Sequence, residues 1–168
     1  MTKEDLVKLM NKDLQREYEH WFTYMQACTS VKGLHRLELE EFFWDEAKDE
    51  MEHIKELALR IRGINGEPVS NTNLKINDVE SFMQKHYKSV SNPDGSSWNN
   101  YNEIQNLPNF WLDIVLVMEQ EVVAIFAERI KQTEELGGSD GMSLHVFYED
   151  MINDSRKTVD KVKMLLSM

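Results

Sequence analysis

Residues 39–61, LEEFFWDEAKDEMEHIKELALRI, decide the fold that this sequence predicts. Every third or fourth residue of the stretch falls on one helical stripe, which reads Leu39, Phe43, Glu46, Glu50, His53, Leu57 and Ile61. The two ends of the stripe are apolar, as in a helix that packs against a hydrophobic core, whereas its middle is acidic and contains a histidine. The stretch therefore predicts a long helix that carries charged side chains on its buried face.

Three other segments show the same period. Their stripes are Leu6, Met10, Leu14, Glu17, Trp21, Tyr24, Cys28 and Val31, then Leu112, Leu116, Glu119, Val123, Phe126 and Ile130, and finally Leu144, Tyr148, Met151, Ser155, Thr158, Val162 and Leu165. We therefore expect four helices. They span about residues 3–31, 34–64, from just after Pro108 to Gly137, and from Ser139 or Ser143 to the C terminus, with either serine as the candidate N-cap.

The connections between these segments predict how the helices are arranged. Only short loops, at Gly33 and at Gly137-Gly138, separate the members of each pair, so each pair forms an antiparallel hairpin. Residues 67–107, with a short predicted helix that opens at Asn77, cross from one hairpin to the other. The sequence thus predicts an all-α protein, an antiparallel four-helix bundle that forms one domain over residues 1–168.

Composition excludes several classes of function. The chain has 19 Lys and Arg against 30 Asp and Glu, a net charge of −11, which disfavours binding to the phosphate backbone of nucleic acids. Its most apolar stretch, residues 110–130, contains four acidic residues and is too polar to span a membrane. Cys28 is the single cysteine, and no apolar leader opens the chain, so we expect a reducing, cytoplasmic location.

The interrupted stripes point to a metal site. Glu17, Glu50 and Glu119 are expected at a similar depth in the bundle, with His53 one turn after Glu50 on the same face. A buried carboxylate is costly unless it is paired or bound to a metal, and one cation would satisfy all four groups. The alternative for Glu50 and His53 is a hydrogen-bonded polar pair without a metal.

At these residues the chain resembles the ferritin-like superfamily, in particular bacterioferritin and the Dps-like proteins. The segment Asn11–Glu17 with Tyr24 is similar to the family's first helix, Asp45–His53 to its second, and Met118-Glu119 to its third. The resemblance implies a di-iron centre that oxidises Fe(II) with O2 or H2O2, often inside a hollow homo-oligomeric cage. It assigns Glu17 and His53 as terminal ligands, Glu50 as the shared ligand, and Tyr24 as a residue beside the centre that bonds to a ligand or donates an electron.

The fourth helix departs from the family pattern. Ser155 and Thr158 stand where the resemblance would place a glutamate and a histidine. Three carboxylates do not balance two divalent ions, so one firmly held ion is expected, and a two-carboxylate, one-imidazole set suits Fe(II), Mn(II) or Zn(II). Glu119 would form a weaker second position or accept a hydrogen bond from the fourth helix. His20 and Glu46 are candidate replacement ligands.

These features leave two main functional hypotheses. The first is an iron-binding protein that oxidises Fe(II), a ferroxidase serving iron storage and protection against oxidative stress. The second is a non-catalytic ferritin-like shell or structural subunit, which the loss at Ser155 and Thr158 favours. An oxygen-using enzyme acting on an organic substrate is a third possibility, for which no residue pattern indicates a substrate pocket.

Overall fold

The computed structural model describes residues 1–70, 72–75 and 109–168, and within them the chain forms four α-helices. These are α1 (Lys3–Ser30), α2 (Arg36–Gly63), α3 (Phe110–Leu136) and α4 (Gly138–Leu166). Helix α1 packs along α2, and α3 along α4, as expected for two hairpins. The predicted all-α four-helix bundle is confirmed. The crossover helix predicted at Asn77 lies outside the described residues.

The helix ends follow local chemistry, with one exception to the predictions. Helix α1 begins after Thr2, whose side-chain oxygen accepts a hydrogen bond from the Asp5 amide at 3.1 Å. The prediction that Ser139 or Ser143 caps α4 is wrong, because α4 already begins at Gly138 and has no side-chain cap. Gly137 and Gly138 both adopt positive φ angles, 68° and 66°, and so reverse the chain before either serine is reached.

A close approach of α3 and α4 makes Gly141 sensitive to substitution. A Cβ atom at this position would lie 2.5 Å from the Thr133 carbonyl oxygen, a backbone atom that cannot simply rotate away. We expect Gly141→Ala to lower the free energy of unfolding by about 1–3 kcal/mol, as overpacking does elsewhere. The matched control is Gly63→Ala in α2, where nothing lies within 4 Å. Urea unfolding measures both, and equal stabilities for the two variants would contradict this packing.

Two apolar clusters fill the bundle and leave a polar layer between them. One cluster contains Tyr24, Phe43, Phe110, Trp111, Ile114, Met118 and Val162, and the other contains Leu14, Leu57, Phe126, Tyr148 and Met151. Between these clusters each helix carries buried polar residues, namely Glu17, His20, Glu50, Glu119, Ser155 and Thr158, and Glu46 lies at the edge of the first cluster, between Phe43 and Ala47. The charged interruptions of the stripes therefore form one layer across the middle of the bundle.

Phe110 and Trp111, which close the predicted crossover, are buried in the first cluster and each is 3% exposed. Trp98 and Tyr101, expected beside them, lie outside the described residues.

No helix in the described ranges has an apolar stretch of the length and hydropathy that crossing a bilayer requires.

Candidate metal centre

The polar layer brings three carboxyl groups together from three helices. Glu17 of α1, Glu50 of α2 and Glu119 of α3 are 2%, 4% and 2% exposed. Because each occupies a core position of its stripe, helix packing directs all three side chains inward. His53 follows Glu50 by one turn and is partly buried. The residues predicted to converge are adjacent in the folded chain.

Glu17, Glu50 and His53 form a first group of ligand atoms, all within 4.8 Å of one another. His53 Nδ1 lies 3.8 Å from Glu17 Oε2 and 3.6 Å from Glu50 Oε2. Atoms bound about 2.0–2.2 Å from one metal ion are roughly 3–4 Å apart, so this spacing suits a shared cation. On the other side of the ring, His53 Nε2 lies 3.2 Å from Asp154 Oδ2. That contact orients the imidazole with Nδ1 toward the carboxyl groups.

His20, Glu50 and Glu119 form a second group within the same 4.8 Å limit. Glu50 belongs to both groups and is therefore the residue that links them. The Tyr24 hydroxyl, fully buried, donates a hydrogen bond to Glu119 Oε1 at 2.7 Å. Tyr24 thus contacts a candidate ligand, in the place that the family resemblance implies.

Glu46 is buried in the same layer but lies outside both groups. The Thr158 hydroxyl donates to Glu46 Oε2 at 3.0 Å, and Lys161 Nζ lies 3.7 Å from Glu46 Oε1. Ser155 lowers the pKa of the Glu119 carboxyl, the direction of the hydrogen-bonded alternative for Glu119. Thr158, by contrast, bonds to Glu46 and not to Glu119.

Burial controls the protonation of the acidic layer. It raises the pKa of Glu50 to about 8 and that of Glu119 to about 7, and it raises the pKa of Glu17 well above its usual value. Repulsion from Glu50 adds to the rise at Glu17, and repulsion from Glu119 and Glu46 adds to the rise at Glu50. Without a cation, burial therefore shifts all three groups toward their protonated forms.

Burial has the opposite effect on His20. It lowers the pKa of the imidazole to about 3, with a further contribution from Arg16. The ring is therefore neutral near pH 7, which is the protonation state that a metal ligand requires.

A cavity of about 340 Å³ reaches the layer from the side of α2 and α4. Glu50 and Glu119 line it at the bottom, and exposed residues such as Glu52 and Lys157 line its outer part. Ser155 and Thr158 also border the cavity. The candidate ligands are thus open to small molecules and ions on the side where α4 carries short side chains.

Sequence reasoning missed a second buried polar cluster, one turn from Glu17. Arg129 donates from Nε and Nη2 to the two carboxylate oxygens of Asp13, at 2.7 and 2.8 Å. The Tyr148 hydroxyl donates to Asp13 Oδ2 at 2.8 Å. Asp13 is fully buried and Arg129 is 6% exposed. Asp13 follows the stripe residue Met10 by three positions, and Arg129 follows Phe126 in the same way. This spacing was the sequence signal that both side chains lie near the buried faces of their helices.

Because Asp13 and Arg129 are both buried, removing the positive charge of Arg129 should strongly destabilise the fold. Arg129→Met would remove the buried, two-point partner of Asp13 and leave it with Tyr148 and the partly exposed Arg16, whose Nη1 lies 3.2 Å from Asp13 Oδ1. We therefore expect a loss of up to about 3–5 kcal/mol in the free energy of unfolding. Lys131→Met is the matched control, since Lys131 is exposed and contacts only Glu128 at 3.3 Å. Chemical denaturation compares the two, and a loss no larger for Arg129→Met than for the control would refute the predicted cost.

The fold and this layer define the chain as a four-helix bundle with a carboxylate and histidine centre in its core. The family model of the ferritin-like domain matches residues 7–168, so the chain belongs to the ferritin-like domain family. No curated protein matches the sequence.

Solved structures share the fold along nearly the whole chain. A ferritin-like diiron-carboxylate protein from Bacillus anthracis str. Ames has a TM-score of 0.71 at 24% identity, over 98% of this chain and 96% of that one. Dps from Staphylococcus aureus has a TM-score of 0.74 at 17% identity, over 99% and 98%. A dodecameric thioferritin from Bacteroides fragilis has a TM-score of 0.70 at 14% identity, over 99% and 87%. At these identities the likeness establishes the fold.

Proposed function

We propose that this protein binds Fe(II) within its helical bundle and oxidises it with O2 or H2O2, in the service of iron storage and protection against oxidative stress. Membership of the ferritin-like family supports iron as the metal, and so does the likeness to diiron-carboxylate proteins. Carboxylate and imidazole donors suit Fe(II), and although Mn(II) or Zn(II) also fit them, the likeness to a diiron-carboxylate protein favours iron.

The observation that carries this proposal is a buried carboxylate oxygen of Glu50, Oε2, that lacks a hydrogen-bond partner. An unpaired carboxylate oxygen in a protein core is costly, and a bound cation between Glu17, Glu50 and His53 would remove that cost. We assign Glu17 and His53 as terminal ligands, Glu50 as the shared ligand and Glu119 as a ligand of the second position. Tyr24 would hold the Glu119 carboxyl in place through its hydrogen bond.

To test the oxidation, the protein is loaded with Fe(II) anaerobically and then mixed with aerated buffer, and the uptake of O2 is measured. We expect the wild-type protein to consume O2 faster than the same iron in buffer, and Glu17→Gln to lose most of that excess. The control is Glu41→Gln, the same substitution at an exposed position of α2. Uptake by the wild-type protein at the buffer rate would exclude the ferroxidase activity.

The second candidate is a non-catalytic shell or structural subunit. It is favoured by the hydrogen bonds of Tyr24 to Glu119 and of Thr158 to Glu46, which already partner two of the carboxyl groups. Elemental analysis of the purified protein, beside the uptake measurement, separates the candidates. Bound iron without oxidation would favour the second.

We also propose that the chain forms a homo-oligomer, with a cage as the expected form. Several large apolar side chains are exposed on the outer faces of α1 and α2, including Phe22, Leu37, Trp44 and Met51. Large apolar side chains exposed on helix faces are candidates for subunit contacts. Light scattering distinguishes a cage from a dimer, and a monomeric mass at micromolar concentration would contradict assembly.

A further inference from the structure

We infer that His20 is a ligand of a second metal ion, so that α1 supplies the imidazole that α4 lacks. The inference rests on the proposed metal-binding function. A ring nitrogen of His20 and carboxylate oxygens of Glu50 and Glu119 lie within 4.8 Å of one another, and all three residues are buried. One imidazole and two carboxylates on three helices thus surround a common point.

The unpartnered Oε2 of Glu50 lies 3.6 Å from His53 Nδ1, on the side of the first group, so the case for the second group rests on the three side chains that converge there. Glu50 is 4% exposed, and its Oε2 atom has no hydrogen-bond partner although both ligand groups include this residue. A carboxylate with two oxygens can bind one ion through each. Glu50 is therefore placed to bridge an ion held with Glu17 and His53 and another held with His20 and Glu119.

Within the described residues, helix α4 contributes no histidine or carboxylate to this second group. Its two residues in the layer are Ser155 and Thr158, and the Thr158 hydroxyl bonds to Glu46. Both imidazoles of the centre therefore come from the first hairpin. Each follows a glutamate by three residues, as Glu17 and His20 on α1 and as Glu50 and His53 on α2. At this spacing each histidine lies one turn from its glutamate on the same side of the helix, and the packing of the bundle buries His20 to 5% exposure.

Charge in the layer is consistent with two divalent ions. Glu17, Glu50 and Glu119 supply three negative charges, which leaves one positive charge of two divalent ions to be balanced. Glu46 lines the same cavity and is 4% exposed, but Lys161 Nζ lies 3.7 Å from its Oε1, so its charge is already paired. The second ion is therefore expected to be the more weakly held of the two. His20 adds a nitrogen donor and no charge. It does not line the cavity, so molecules that enter there reach the ions on the side away from His20.

Anaerobic titration with Co(II), followed by calorimetry and visible absorption, tests the inference without any turnover. The wild-type protein should bind two equivalents per chain, and His20→Ala should bind one. His35→Ala, an exposed histidine next to α2, is the control and should keep two equivalents. Glu119→Gln is a second variant for the same position and should also bind one. Circular dichroism checks that each variant is folded.

The outcomes separate this inference from the function on which it rests. Two equivalents in folded His20→Ala would overturn the role of His20, and so would a wild-type protein that binds a single ion. Binding of no Co(II) by the wild-type protein would overturn the proposed metal site as well. Loss of one equivalent in both His20→Ala and Glu119→Gln, with the control unchanged, supports the assignment.

Discussion

Replacing Glu50 with glutamine should abolish tight metal binding at both positions of the centre. Glu50 belongs to both ligand groups, and no other residue of the described chain does. Changes to residues that merely orient a ligand cost about 10–100-fold in metal affinity, so loss of a shared ligand should cost roughly 100-fold or more. Anaerobic calorimetric titration with Fe(II) or Co(II) measures the change.

The same substitution should increase the stability of the metal-free protein. Glutamine keeps the shape of Glu50 but removes a buried acidic group, so we expect Glu50→Gln to unfold at a higher denaturant concentration than the wild type at pH 8 without metal. Glu41→Gln, at an exposed site on the same helix, should change neither affinity nor stability. Wild-type affinity in Glu50→Gln would show that the metal, if any, binds elsewhere.

The metal-free protein should become less stable as the pH rises from about 6.5 to about 9. Burial raises the pKa of Glu50 to about 8 and that of Glu119 to about 7, so the folded state retains protons that the unfolded state has released. A group whose pKa is higher in the folded than in the unfolded state makes its full contribution to stability at pH values below its unfolded-state pKa. That contribution is lost as the pH rises through its folded-state pKa. Where the folded and unfolded pKa values of a group differ by one, the stability changes by about 1.4 kcal/mol.

His20 limits the window in which this effect is clear. Its pKa is lowered from 6.5 to about 3, so its burial destabilises the fold in acid, and this penalty disappears as the pH rises to about 6.5. Below that value the two effects oppose each other, whereas above it the raised pKa values of the carboxyl groups set the direction of the change. Urea unfolding in the presence of a chelator, at several pH values across the window, measures the slope.

A divalent ion should remove the pH dependence by replacing the protons. With saturating Co(II), we expect the stability of the wild-type protein to hold or increase over the same window, because deprotonated carboxylates bind the ion better. Glu119→Gln should flatten the slope of the metal-free protein in part. Metal-free stability that rises between pH 6.5 and 9 would mean that the acidic layer is ionised and otherwise compensated.

The fold was predictable because each helix repeats one apolar period. Stripes such as Leu39, Phe43, Leu57 and Ile61 define which face is buried, and glycines at the loops mark the ends of the hairpins. The acidic breaks at Glu17, Glu50 and Glu119 were predictable for the same reason, since a charged residue on a core stripe must face the interior. Register along antiparallel neighbours then places them at one depth.

Other parts of the site depend on geometry that no single helix encodes. His20 lies beside its stripe, and whether it faces the core depends on how α1 rotates against α2 and α3. Asp13 and Arg129 are far apart in sequence, so their pairing at 2.7 and 2.8 Å requires the packed bundle. The start of α4 was misplaced because two positive-φ glycines, not a serine cap, reverse the chain.

Anomalous diffraction at the iron edge, from a crystal loaded anaerobically with Fe(II), would locate any metal in the polar layer and identify its ligands. We predict two anomalous peaks. One marks an iron ion within bonding distance of Glu17, Glu50 and His53 Nδ1, and the other marks an iron ion within bonding distance of His20, Glu50 and Glu119. An empty polar layer, with iron found only at surface carboxylates, would contradict the proposed centre.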